Sequence, residues 1–198
     1  MRDINLAKKV FEEIYKDYDG YQLSSTDKAN LGITSSDFVY GEISFDGFIN
    51  LLSKVNPNQE DIFYDLGSGL GKPCLAISLV YKIKKAIGFE LLPSLLKASQ
   101  EVASKAKNYF SDLNEIEFRK EDYLKADFSD GTIIFAHITC LPDEEVKILE
   151  KKFLKLNKGA RIIVITKRLE NSQDLKIIDE GEVRMNWGIA TYRIYQRI

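Results

Sequence analysis

The side chains of this chain best suited to chemistry are a glycine cluster and three acids spaced along the sequence behind it. The run Asp65-Leu66-Gly67-Ser68-Gly69-Leu70-Gly71 sets three alternate glycines two residues after an acid. Glycines there let the backbone turn sharply and approach a ligand with no Cβ in the way. A dinucleotide loop spaces its glycines G-x-G-x-x-G and aims a helix N-terminus at a pyrophosphate. Here the spacing is G-x-G-x-G, and Asp65 would repel a pyrophosphate. It suits instead a ligand carrying an ammonium or sulfonium charge. Glu90 follows 25 residues after Asp65, where an acid can accept both hydroxyl protons of a ribose. Asp122, backed by Tyr123, can hydrogen-bond an adenine amino group and pack against the ring. Three acids ending successive strands beside such a loop point to ligand binding rather than to solvated strand ends.

These residues need a scaffold, and the apolar pattern supplies one. Ile4, Ala7, Val10, Phe11 and Ile14 recur at helical spacing, so residues 3–17 read as an amphipathic helix. Residues 18–40 are polar and irregular and read as a connecting loop or lid. Phe45, Phe48, Ile49, Leu51 and Leu52 mark a second short helix that stops at Pro57. From Asp61 onward, apolar runs at 62–66, 86–90, 116–118, 132–136 and 160–166 alternate with helical patterns at 73–81, from Pro93 and from Pro142. Such alternation implies a parallel sheet with right-handed crossovers. The tail differs: residues 181–186 and 190–197 are separated by only a tight turn around Gly188, which demands an antiparallel pair. The expected fold is α/β, a doubly wound, mostly parallel seven-stranded sheet closed by a C-terminal antiparallel hairpin, with an N-terminal helical arm. Residues 1–56 would form the arm and residues 57–198 the core.

Composition narrows the function classes. The formal net charge is −2, from 28 basic and 30 acidic side chains. A protein that grips phosphate backbones usually carries a strong basic excess. Strong nucleic-acid binding is therefore not expected, and the lysines at 82, 84 and 85 and at 151, 152 and 155 read as solvated faces. Two cysteines without paired spacing and one histidine argue against a disulfide framework and against a zinc site. The N-terminal stretch is charged throughout, and nowhere do about 18 apolar residues follow one another, so a cytoplasmic protein with no membrane partner is expected.

The acid-rimmed glycine loop resembles the first motif of the seven-strand S-adenosylmethionine-dependent methyltransferases. Upstream lies Val39-Tyr40-Gly41-Glu42-Ile43-Ser44-Phe45, then a helix, then Asp65 to Gly71. This order is similar to that of the Dot-one (disruptor of telomeric silencing) lysine methyltransferases, in which a Tyr-Gly-Glu loop lies over the cofactor. Trp187-Gly188 and the following Tyr192 are similar to that family's acceptor-side Trp and Tyr-rich strand. The resemblance covers about residues 38–197. It implies S-adenosylmethionine as cofactor, S-adenosylhomocysteine as product, and a protein lysine as acceptor. It assigns cofactor binding to Tyr40, Glu42, Asp65, Gly67, Ser68, Gly69, Gly71, Glu90, Asp122 and Tyr123, with no metal, and makes residues 1–56 the arm plus the cofactor-covering loop. It places Tyr40, Thr139 and Trp187 around the methyl-acceptor channel as the catalytic set. At the stretch containing Thr139 the histone enzymes carry an Asn-Asn-Phe type of sequence, whereas this chain has His137-Ile138-Thr139-Cys140-Leu141. The family's long basic nucleosome-binding segment has no counterpart.

The chemistry so implied is an in-line displacement at a sulfonium, in which the protein mainly positions donor and acceptor; such positioning can supply roughly 7–11 kcal/mol. A lysine acceptor must first lose a proton held to about pH 10.4, and an apolar, aromatic channel near a sulfonium would favour that loss. His137 is a candidate base, and Cys140 reads as a small buried hydrophobe. Two other functions fit the same core: transfer to a small molecule, and a cofactor-binding module without catalysis. An NAD-dependent oxidoreductase is disfavoured by Asp65 and by the terminal hairpin.

Overall fold

The computed structural model describes residues 1–34, 39–170 and 173–198. It contains a seven-stranded sheet of order β3-β2-β1-β4-β5-β7-β6. The parallel part comprises β1 (Ile62–Leu66), β2 (Lys85–Phe89), β3 (Glu115–Arg119), β4 (Ile133–His137) and β5 (Arg161–Ile165). β6 (Leu175–Met185) and β7 (Gly188–Arg197) form the antiparallel hairpin that closes one edge, with β7 against β5. This is the architecture expected from the sequence. β6 starts six residues earlier than the sequence reading placed it, because its outward Lys176, Ile178 and Glu180 and a register shift between Ile177 and Asp179 break the apolar signal.

Strand residues alternate between two cores because successive side chains point to opposite faces. Phe63, Phe135, Ile163 and Ile165 face one cluster; Tyr64, Leu66, Ile134, Ile162 and Val164 face the other. The first face is covered by α1 (Ile4–Tyr15), α3 (Phe45–Val55), α4 (Lys72–Val80) and α5 (Pro93–Ala106), and the second by α6 (Asp143–Phe153). Phe48 of α3 is buried between Phe63 and Phe135, its ring centroid 6.0 and 5.1 Å from theirs. The arm therefore shares the core of the sheet. Ser44 caps α3 by accepting from the N–H of Gly47, and Asn56 ends it in the left-handed region just before Pro57.

The segment read as a loop over 18–40 departs from expectation. Residues 20–31 form a helix, α2 (Gly20–Leu31), capped by Asp19 at its start and Gly32 at its end. Residues 35–38 of that segment lie outside the described residues. Periodicity missed α2 because its buried positions are Gly20, Ser24 and Asp27, a face at helical spacing with no apolar side chain. Polar contacts dock it instead: the Asp27 carboxylate accepts from both the N–H and the hydroxyl of Ser94 at the start of α5, at 2.7 and 2.6 Å. No helix among the described residues is long and apolar enough to cross a membrane.

Candidate active site

The loop between β1 and α4 is folded by its own backbone. The N–H groups of Gly67 and Ser68 donate to the carbonyl of Phe89 at 3.1 and 2.8 Å, and Gly71 donates to Ser68 at 2.7 Å. The loop opens onto a cavity of about 310 Å³ at the carboxyl ends of the strands, where open α/β sheets take ligands. Tyr40, Glu42, Asp65, Gly67, Ser68, Gly69, Glu90, Asp122 and Tyr123 all line it. Gly71 does not. It caps α4 at φ 75°, and a Cβ there would lie 2.2 Å from the ring of Phe118, so its lack of a side chain serves loop packing.

The electrostatics of this cavity are set by burial. Asp65 is 1% exposed, and its Oδ2 has no hydrogen-bond partner. Burial, with the charge of Glu90 adding to it, holds the Asp65 carboxyl well above the usual carboxylate range. Glu90 is also buried and is pushed up by desolvation, against which three backbone N–H groups act: Gly69 on Oε2 and Leu91 and Leu92 on Oε1, each at 2.8 Å. Glu90 thus ties the glycine loop to the start of α5. Glu42 accepts from the Tyr40 hydroxyl and from Lys72 Nζ, both at 2.6 Å. Burial, then the charge of Glu42, holds the Tyr40 phenol far above its ordinary range, so it stays protonated and donates. Asp122 accepts from the N–H of Leu124 at 2.9 Å, which turns the chain so that Asp122 and Tyr123 both line the cavity.

These residues fit a cationic nucleoside. An unpartnered buried carboxylate oxygen is costly, and an ammonium group at Asp65 would satisfy it. Ser24 Oγ and Ser68 Oγ are likewise buried without a partner, and both residues line the same cavity.

A second pocket of about 300 Å³ adjoins the first. The two share Val39, Tyr40, Gly41, Tyr123, His137 and Leu141 as lining residues, and Tyr21, Ile138, Thr139, Cys140 and Trp187 complete the second. The three expected acceptor-side residues, Tyr40, Thr139 and Trp187, meet there. The Trp187 ring lies parallel to His137, with an 8° interplanar angle and centroids 6.3 Å apart. Desolvation holds the His137 imidazole below its ordinary range, so it is uncharged at neutral pH. The hydroxyls of Thr139 and Thr166 are 2.9 Å apart. Thr166 sits at φ 72°, a costly conformation for a β-branched residue. Cys140 is exposed, contrary to the sequence reading. It belongs to the turn after β4 instead of the buried strand.

Sequence reasoning missed Lys72, Ser24, Asn186 and Thr166. Lys72 carried a signal, since it directly follows the glycine loop and Glu42 needs a countercharge. Asn186 has several roles at once. Its N–H donates to the Glu42 carbonyl at 3.0 Å, its Oδ1 accepts from the Glu42 N–H at 3.2 Å, and its Nδ2 reaches Glu42 Oε2 at 3.4 Å. Together with the Ile43–Met185 bridge, these bonds fasten the Tyr-Gly-Glu loop to the hairpin turn that carries Trp187.

A parallel sheet ended by a reversed hairpin, with an acid-rimmed glycine loop at its carboxyl edge, defines the class I methyltransferase fold. The tRNA (m1A58) methyltransferase TrmI from Aquifex aeolicus shares it, with a TM-score of 0.57 at 19% identity over 83% of this chain and 71% of that one. Residues 25–188 match the family described as histone methylation protein DOT1, and the chain belongs to that family. It is 26% identical over 145 residues to a histone-lysine N-methyltransferase, H3 lysine-79 specific, of Drosophila melanogaster, covering 69% of this chain but only 8% of that relative. It is 24% identical over 144 residues to a protein-lysine N-methyltransferase of Saccharolobus islandicus, covering 73% of this chain and 86% of that one.

Proposed function

We propose that this chain is a methyltransferase that moves a methyl group from S-adenosylmethionine to a lysine side chain of a protein. The observation that carries the reading is the pair of adjoining pockets, one rimmed by acids and the other aromatic, sharing Tyr40, Gly41, Tyr123 and His137. S-adenosylmethionine, when bound, supplies an electrophilic methyl group on a sulfonium. Asp65 and Glu42 would hold its methionine part, Glu90 its ribose, and Asp122 with Tyr123 its adenine. Lys72 balances the charge of Glu42, which leaves Asp65, Glu90 and Asp122 among the acids that can face a cationic ligand.

The second pocket suits a lysine stem. Its described lining residues include no carboxylate, and His137 adds no positive charge. An ammonium entering there would lose hydration without gaining a counter-ion, which favours the neutral, nucleophilic amine. Tyr40 and Trp187 would wall the stem, and Thr139 would line the pocket with them. The rim favours a macromolecular acceptor over a small one, since Val39 and Trp187, which line the pocket, stand 58% and 48% exposed. The net charge of −2 supports a protein acceptor over a nucleic acid, which usually calls for a basic surface. The name of the Saccharolobus relative supports the same acceptor class.

The test is transfer from methyl-labelled S-adenosylmethionine into mixed protein and free histones, resolved by size. Label on protein lysine, located by mass spectrometry, is the expected result. Label confined to small molecules would move the acceptor to metabolism. Tight cofactor binding with no label in any pool would instead make the chain a binding module.

A further inference from the structure

α2 contributes a side chain to the first cavity that none of the sequence motifs includes. Its three buried residues, Gly20, Ser24 and Asp27, lie at i, i+4 and i+7 and so share one face. The two outer ones fix where that face points. At Gly20 a Cβ would meet the Tyr40 hydroxyl at 2.2 Å, so α2 starts pressed against the Tyr-Gly-Glu loop. At Asp27 the carboxylate holds Ser94 on α5, the helix whose N-cap residue Leu92 donates to Glu90. Ser24 therefore sits between the Tyr40 side of the cavity and the Glu90 side, and it lines the cavity.

Its hydroxyl is the anomaly. Ser24 is 2% exposed, and its Oγ has no hydrogen-bond partner. A serine or threonine inside a helix ordinarily donates to the carbonyl one turn back, as Thr26 does to Gln22 at 2.9 Å. Ser24 forgoes that bond, and a buried hydroxyl without a partner costs free energy. Glu90 has both carboxylate oxygens already engaged by backbone donors. It keeps lone pairs for a ribose hydroxyl, but with less capacity than a free carboxylate.

We infer that Ser24 is a ribose ligand: with Glu90 it binds the 2′,3′-diol of the nucleoside in the first cavity. The inference rests on the S-adenosylmethionine reading above. It makes α2 part of the binding site and divides ribose recognition between the residue that follows β2 and a residue of α2.

The experiment is titration calorimetry of S-adenosylhomocysteine and of its 2′-deoxy and 3′-deoxy ribose analogues against wild type, Ser24→Ala and Ser24→Cys, with thermal melts alongside. Loss of one hydrogen bond should weaken S-adenosylhomocysteine by about three- to tenfold in both variants. One deoxy analogue, lacking the hydroxyl that Ser24 holds, should bind variants and wild type equally. An unchanged affinity for S-adenosylhomocysteine would overturn the assignment. So would an equal weakening of all three ligands, which marks a structural effect of α2. If wild type binds none of the three, the cofactor reading itself falls, and the inference with it.

Discussion

At the scale of single residues, Asp65 carries the sharpest conflict between stability and binding. In the unfolded chain its carboxyl titrates near the ordinary value, about 3.9. In the fold, burial and the neighbouring Glu90 raise it well above that. The folded state therefore holds a proton over a range where the unfolded state has lost it, so stability falls as pH rises from about 4 through the folded value. Asp65→Asn removes that loss. Thermal melts of the ligand-free variant at pH 5 and 7 should show a smaller pH dependence, with a gain of about 1 kcal/mol at pH 7. The same change should weaken S-adenosylmethionine by at least tenfold, since a charged hydrogen bond contributes roughly 1.5–3 kcal/mol. A destabilised variant that still binds would assign Asp65 to the architecture. Asp65, Glu90 and Asp122 were legible because acids at strand ends stand out beside a glycine loop. Ser24 was not legible, since a serine is common and only its missing bond, visible in three dimensions, sets it apart.

At the scale of elements, the hairpin turn and the Tyr-Gly-Glu loop behave as one piece. Asn186 makes three bonds to Glu42, and Trp187, the chain's single tryptophan, follows it directly. Asn186→Ala should free the turn, shift Trp187 emission to longer wavelength and lower the methylation rate about tenfold, a loss typical of breaking bonds to a charged group. An unchanged emission spectrum with full activity would show that the bridge between Ile43 and Met185 suffices alone. The elements that could be read in advance share one property, an apolar face at a clear period. α1 and α3 bury Val10, Phe11, Phe48 and Leu52 on such faces. α2 and the first half of β6 lack that face, and neither was read as regular structure. The hairpin was legible for another reason, because a short turn at Gly188 leaves no room for a crossover.

At the scale of the whole molecule, stability is distributed unevenly around the site. The central strands β1, β2, β4 and β5 each bury four of their five residues, and every residue of α4 from Pro73 to Val80 is buried. α2 is docked by Asp27 on Ser94, by Gly20 and Tyr21 against Tyr40, and by the partly buried Leu23. Elements with few buried apolar contacts open at lower free energy than the core. Hydrogen exchange followed by mass spectrometry should show the amides of α2 exchanging at least roughly a hundredfold faster than those of α4. Saturating S-adenosylhomocysteine should slow α2 selectively, and equal protection of both helices would contradict the uneven distribution. The polar underside of α2 then acquires a meaning in time rather than in space. On the proposed function, each turnover would exchange one nucleoside for another in the cavity that Ser24 lines. A helix held over that cavity largely by a carboxylate on a serine could part and reseal without exposing the core, so the rate of product escape would be adjustable by single substitutions in α2.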